Sequence, residues 1–392
     1  MAVADTRTAS LLTELAGIVP RLRENGAEAE SRRWIPDENI ALLEKAGVFR
    51  AAVPERFGGL DLPLADQAKV VAEISRGCGS TGWVAAAWLE GAWVATLYSD
   101  EVQQEVFAGG QVRVSGGLAP TGFVVPVDGG FVLNGSWAFN TGCRGADWNF
   151  VAAVQELPDG EHDLLYALVP MGELTIADDW DVSAASATGS FTTTATDVFV
   201  PAERAVSVAQ LLTGGVEGRT NSGATGRNYG LITFVSALSV ATYLGIARGA
   251  LETFLERLPG KAIAYTNWTE QREHPLTQIK VALAANRITA ADALADGYLA
   301  LLQERADAGE LPAPDESAGV RGRCGFAIQL VKEAVEELHE VSGASALSRQ
   351  AHFQRFYRDL EGLSRHGMMT PYTNLELHGR VLLGLDPDTL FL

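Results

Sequence analysis

The chain has 392 residues, is 47% hydrophobic and 20% charged, and carries a formal net charge of -19. That much apolar material excludes a disordered chain and suits two or three domains or one large multilayered unit. The acidic balance argues against nucleic acid or an anionic membrane surface as the main partner, since both select positive charge.

The N-terminal stretch MAVADTRTASLLTELAGIV lacks a basic region followed by an apolar block, so it does not read as a signal peptide. Leu11, Leu15, Ile18 and Leu22 keep a helical spacing. A second helix opens at Pro36, with Asp37 and Glu38 in its first turn, and closes near Lys45 and Gly47,. These helices belong to a first domain, residues 1–110. The character changes near Gln111. Phe131, Leu133, Trp137 and Phe139 alternate with polar residues, the two-residue period of a half-buried strand,. Asp128-Gly129-Gly130 before them is a hairpin signal,. Asn149 to Gln155 and Leu164 to Pro170 are expected to pair around Pro158-Asp159-Gly160, and Phe191 to Val200 is strand-like,. Residues 111–206 therefore form an antiparallel β domain.

A Gly-rich connector (Gly214 to Gly230) leads into a helical third domain, residues 207–392. Leu231 to Ala247 is its most apolar stretch. Broken by Ser and Thr, it reads as a buried core helix rather than a membrane span. Ile288, Ala291, Leu294, Tyr298 and Leu301 form one stripe, and Cys324, Ile328, Val331, Val335 and Leu338 another. Long helices with such seams make a bundle, and Asp307 to Glu316 is the turn between two of them.

Cys78, Cys143 and Cys324 are the three cysteines. With no Cys-x-x-Cys pair they fit neither a disulfide framework nor a zinc site, and a reducing cytoplasm is expected. The six histidines do not pair at metal-ligand spacing, so no metal is assigned,. The chain shows no Gly-x-Gly-x-x-Gly after a strand, no phosphate loop and no Gly-x-Ser-x-Gly elbow.

Five segments in order resemble the acyl-CoA dehydrogenases, and more closely their flavin-dependent oxygenase relatives. They are RAAVPERFGG (Arg50 to Gly59), CGSTGWVAAAW (Cys78 to Trp88), PVDGGFVLNGSWAFNTGCRGADW (Pro126 to Trp148), TGS (Thr188 to Ser190) followed by DVFVPAER, and FQRFYRDLEGLSRH (Phe353 to His366). The resemblance implies a mostly α chain with a central β domain: an N-terminal helical domain, an antiparallel β-barrel or sandwich, and a C-terminal four-helix bundle. Dehydrogenases of this fold carry a base Glu after the Arg-Asp pair. Here that place is Gly367, with His366 beside it, and glycine cannot be a base. Flavin hydroxylases of the fold keep a His there.

On this resemblance the chain is the oxygenase component of a two-component (group D) monooxygenase. Reduced FAD or FMN arrives as a diffusible cosubstrate from a separate NAD(P)H:flavin reductase and reacts with O2 through a C4a-hydroperoxide. A small aromatic or indole-type substrate is hydroxylated. His366, titrating near neutrality, and Ser190 are the catalytic candidates, His366 as proton donor. Ser115, Thr141, Gly142, Thr188, Gly189, Ser190 and Trp83 are expected at the flavin, with Lys261 or Arg272 at its phosphates. Glu90, Trp88 and Phe139 are expected at the substrate, and Trp93 among the apolar bulk that excludes water. Phenol hydroxylases of the fold carry a phenol-orienting His at the place of Gly91, which puts a simple phenol in doubt. The resemblance also implies a homotetramer. Cys143 reads as a buried spectator and Arg358–Asp359 as a structural ion pair at a helix end. N-oxygenation of an amine or amino sugar to a nitroso product, an acyl-CoA dehydrogenase, and a non-catalytic scaffold remain alternatives.

Overall fold

A computed structural model describes residues 6–392 apart from 221, 222, 225 and 390. The start of the N-terminal stretch and three positions of the Gly-rich connector thus lie outside the described residues. Among these, twelve α-helices flank one seven-stranded sheet.

The first layer is α1 (Thr6–Glu24), α2 (Gly26–Arg32), α3 (Asp37–Ala46), α4 (Leu64–Gly77), α5 (Gly79–Ala95) and α6 (Asp100–Val106). α1 buries Leu11, Leu15, Val19 and Leu22 on one side. α3 starts after an extended Pro36 and ends at Gly47, whose φ of 88° lets its N–H reach back to the last turn,. α2 was not anticipated. Its seven residues bury only Gly26 and Ala29, too few to leave a periodic mark. α5 is apolar all round and almost wholly buried, the pattern of a central helix.

The sheet consists of β1 (Val114–Val127), β2 (Gly130–Trp137), β3 (Trp148–Glu156), β4 (His162–Pro170), β5 (Thr175–Ile176), β6 (Thr193–Pro201) and β7 (Ala205–Ser207). Their order is β5-β6-β2-β1-β3-β4-β7. β1 and β2 form the expected two-residue hairpin, Val127 facing Gly130 across Asp128 and Gly129. β3 and β4 pair from Trp148 with Pro170 to Glu156 with His162. The sheet is not wholly antiparallel, since β1 and β3 run parallel from Val114 with Trp148. A parallel pair needs a crossover, and here β2 plus residues 138–147 provide it. That crossover carries Thr141, Gly142 and Cys143. Phe139, expected on the inward side of β2, lies beyond the strand end with φ 60° and is 73% exposed. The alternation fails there because β2 bulges between Leu133 and Gly135 and then stops at Trp137.

The third layer holds α7 (Val208–Leu212), α8 (Leu231–Glu256), α9 (Pro275–Asp307), α10 (Pro314–Glu340), α11 (His352–Leu363) and α12 (Pro371–Leu382). α8 is long and apolar enough to cross a bilayer, but 89% of its most apolar window is buried inside the protein, so it is a core helix. The α10 stripe Cys324, Ile328, Val331, Val335 and Leu338 is wholly inside. On α9, Leu276, Ile279 and Leu283 face outward, and Leu382, Leu383 and Leu385 do so around the end of α12.

Candidate active site

α5 buries all but two of its residues, Ala87 and Glu90, and Trp83 on the same line is 8% exposed. Positions 83, 87 and 90 stack on one helix face. We read solvent contact confined to that single line as a slot between α5 and α8, the candidate substrate site. α8 supplies a facing wall through Ser236, Ser239 and Tyr243. The Ser239 hydroxyl donates to Glu90 Oε1 at 2.8 Å, and the Tyr243 hydroxyl donates to the Leu363 carbonyl at 2.7 Å. Ser236 is buried and its Oγ has no hydrogen-bond partner. His366 stands at the mouth, three residues after α11. Its ring meets Trp83 edge-on at 5.5 Å, and Trp83 meets Tyr243 edge-on at 6.0 Å.

Electrostatics agree with a cleft. Desolvation pushes the Glu90 carboxyl up to about 8, against a smaller opposing effect of Ser239. Desolvation also lowers the pKa of His366, although one side of the residue is open to solvent. A side chain surrounded by protein yet reachable by water sits on the wall of a concavity. Both groups are therefore mostly uncharged at pH 7.

A second cluster lies on the crossover and the loop before β6. Thr188, Ser190 and Thr141 form a chain of hydroxyls, Oγ1 to Oγ at 2.8 Å and Oγ to Oγ1 at 2.9 Å. Three hydroxyl protons serve two internal hydrogen bonds, so one is left to donate outward. Thr188 and Ser190 are buried while Thr141 is only partly so, which places the open end at Thr141. The Gly142 N–H donates to the Thr188 carbonyl at 3.3 Å. Gly189 has φ 53°, and a Cβ there would lie 2.5 Å from Trp34.

The two clusters share α5. Trp88 Nε1 donates to the Gly142 carbonyl at 3.2 Å, and a Cβ on Gly142 would fall 3.2 Å from Val84, the neighbour of Trp83. Asp359 of α11 ties them further. Its buried carboxylate accepts from the Ala185 N–H at 2.8 Å and the Ser80 hydroxyl at 3.0 Å.

Several expectations change. Trp83, Trp88 and Trp93 are spaced by five, and five residues advance a helix by about 140° in phase. They point to different sides. Trp88 is fully buried against Trp34 and Phe49 and supports the Gly142 turn, so it is no substrate wall. Trp93 stacks on Phe234 at 3.9 Å in the core. Phe139 leans on Trp180 at 5.8 Å at the protein surface rather than in the slot. The Ser115 hydroxyl is fully buried with no partner. Arg358 pairs with Glu30, not with Asp359, and both stand within α11 rather than at its end. Lys261 donates to the Ser342 carbonyl at 2.5 Å, and Arg272 pairs with Glu270 at 3.2 Å. Cys143 is buried with its thiol pushed up to about 12 by desolvation. Ser239 and Tyr243 were missed. Their signal was present as polar interruptions of α8 at helical spacing.

Gly91 explains itself. A Cβ there would lie 2.1 Å from the Val114 carbonyl oxygen, so α5 and β1 approach too closely for any side chain. A His in this place is sterically excluded on this backbone. Gly91→Ala is expected to destabilise the protein by about 1–3 kcal/mol through overpacking, read as a lower thermal midpoint.

Residues 18–109 match the acyl-CoA dehydrogenase N-terminal domain, and residues 237–371 the acyl-CoA dehydrogenase C-terminal domain. The chain is 31% identical over 389 residues to the oxygenase subunit HsaA, a flavin-dependent monooxygenase of Mycobacterium tuberculosis, covering 97% of each chain. It is 30% identical over 391 residues to the oxygenase component of the FADH(2)-dependent resorcinol hydroxylase of a Rhizobium species, covering 96% of this chain and 95% of that one. The structure of XiaF from a Streptomyces species, in complex with FADH2 and glycerol, superposes with a TM-score of 0.91 at 26% identity, covering 97% of each chain.

Proposed function

Because the chain belongs to the oxygenase components of two-component flavin-dependent monooxygenases built on the acyl-CoA dehydrogenase fold, we propose that it hydroxylates a small aromatic or indole-type substrate in the slot between α5 and α8. Reduced FAD or FMN and O2 are its cosubstrates, and a separate flavin reductase provides the reduced flavin. Bound reduced flavin supplies the electrons that cleave O2, so that one oxygen atom enters the substrate and the other leaves as water.

The residues present suit such a ring. The open end of the Thr188–Ser190–Thr141 hydroxyl chain offers a donor from a partly buried surface, and the adjoining Gly142 and Gly189 let the two loops pack closely on Trp88 and Trp34 behind it. Ser190 Oγ, at the centre, fixes the direction of both flanking hydroxyls. Trp83 keeps water from the mouth of the slot. His366 is the observation that carries the reading: an uncharged imidazole against Trp83, with no acidic partner among the described residues. Desolvation lowers its pKa and so favours the neutral ring,. It is held ready to accept a proton at a ring nitrogen from the substrate's nucleophilic position, rather than to donate one. The dehydrogenase reading has no carboxylate at Gly367 to perform its step.

We take residues 1–110, 111–206 and 207–392 as the three domains. The outward apolar rows of α9 and of the end of α12 support assembly into a homotetramer. Buried, unpaired Cys78, Cys143 and Cys324 fit a cytoplasmic setting,.

Ser190→Ala breaks the hydroxyl chain at its middle and is expected to weaken reduced-flavin binding about tenfold, one neutral hydrogen bond's worth, measured by anaerobic titration. The reading itself is tested by mixing the protein and reduced flavin with oxygenated buffer and indole. Hydroxylated product, with less hydrogen peroxide than free flavin releases, is expected. Reoxidation at the free-solution rate with peroxide alone would refute it, and bleaching of bound FAD by an acyl-CoA thioester would replace it with a dehydrogenase.

A further inference from the structure

Glu90 is the one carboxyl on α5, and its surroundings hold no counter-charge. Among the described residues it forms no ion pair, and its hydrogen bond is with Ser239. The groups near it on α8 and at the mouth are hydroxyls, Tyr243 and an uncharged His366. Three residues before Ser239, the same face of α8 presents Ser236, 1% exposed with an unpartnered Oγ. A buried polar atom left unpaired costs about 1–3 kcal/mol. Glu90 Oε1 is bonded to Ser239, and Oε2 has no hydrogen bond among the described residues, so the slot holds one free carboxyl oxygen on the α5 face that keeps solvent contact at Ala87 and Glu90.

We infer that the slot selects a substrate amine: a small aromatic whose protonated nitrogen rests against Glu90 while its ring lies along Trp83 toward His366. This specificity rests on the oxygenase reading above and sharpens it. An ammonium supplies the positive charge that the walls lack and donates to the carboxylate. An arylacetate would have to bury its own carboxylate in a slot that holds no cation to balance it, and it would keep Glu90 from ionising. A neutral arene would leave Glu90 without a counter-charge. The desolvation that holds the empty Glu90 carboxyl near 8 is relieved when a cation arrives, so the amine is accepted with Glu90 ionised. Much of the gain is in discrimination, because removing water from both ions offsets part of their attraction. The chain's charge of -19 adds a field that gathers cations and turns anions away.

The test is calorimetric titration of the full chain with tryptamine, indole and indole-3-acetate, compounds that share one ring. Tryptamine is expected to bind at least about tenfold more tightly than indole-3-acetate. Glu90→Gln, close to isosteric, removes that preference, amine and acid then binding alike. Indole-3-acetate matching tryptamine on the wild-type protein, or Glu90→Gln retaining the preference, would overturn the inference. The wild-type ranking stands without any variant. Failure of the oxygenase reading shows separately: tryptamine would bind with the predicted preference, yet reduced flavin and O2 would give only hydrogen peroxide.

Discussion

Replacing His366 by Ala is expected to lower the hydroxylation rate about 100-fold or more, the usual contribution of a positioned acid–base group, while reduced flavin continues to be consumed. The argument follows from where the imidazole sits. Its ring leans on Trp83 at 5.5 Å and is held by a turn whose His366 N–H donates to the Leu363 carbonyl at 2.9 Å. The same carbonyl accepts from Tyr243, so ring and slot wall share one anchor. Losing the ring removes the proton acceptor and opens the mouth to water, so the ratio of product to flavin oxidised falls along with the rate. Desolvation lowers the pKa of His366 below its ordinary 6.5. The base form is the active one, so wild-type turnover is expected to be level above pH 6.5 and to fall on acidification below it. Loss of activity in Ala with coupling preserved would mean that His366 only shapes the slot. A profile that instead fell as pH rose through 6.5 would assign it the role of acid.

The second large effect is expected at Asp359. Asp359→Ala leaves the Ala185 N–H without its acceptor and frees Ser80, a loss of about 2–3 kcal/mol for buried donors, measured by urea unfolding. It also unties the loop that carries Thr188 and Ser190, so reduced-flavin affinity falls although Asp359 touches no ligand. Asp359→Asn keeps one acceptor for Ala185 and is expected to restore both. Burial raises the carboxyl from 3.8 to about 6, with Glu30 adding to the rise and the Ala185 N–H, Ser80 and Arg358 opposing it. The folded protein then holds this proton more tightly than the unfolded chain. The sign is fixed: the contribution is full below pH 4 and is lost as pH rises through 6. Asn has no such proton, so stability of wild type relative to Asp359→Asn should decline across that window. If Ala weakens stability but not flavin binding, the brace does not reach the loop.

Local patterns in the chain were legible because each rests on neighbours a few residues apart. The Asp128–Gly130 hairpin, the pairing of Asn149–Gln155 with Leu164–Pro170 and the α10 stripe all appear where periodicity and turn chemistry place them. The order of helices, sheet and bundle was readable for the same reason. What escaped is non-local. The alternation through Phe139 broke at a bulge that depends on pairing with β6. The tryptophans of α5 gave no hint that Trp88 faces Gly142 while Trp83 faces His366, because the helix is apolar on every side. Ser239 gained its meaning only from Glu90, 149 residues away. Arg358 and Asp359, adjacent in the chain, are sent by consecutive helix positions to Glu30 on one side and to Ser80 and Ala185 on the other.

The Asp359 brace has a consequence for the making of the protein. Ala185 and its acceptor are separated by 174 residues, so a ribosome working at about 5–20 residues per second needs about 10–35 seconds to deliver the second after the first. Throughout that interval the sheet and α5 can assemble, but the hydroxyl-bearing loop has nothing to fasten it. On the proposed flavin site, a growing chain is expected to capture flavin only once its last tenth emerges, and a message truncated before α11 to yield a product empty of cofactor rather than leaky in its chemistry.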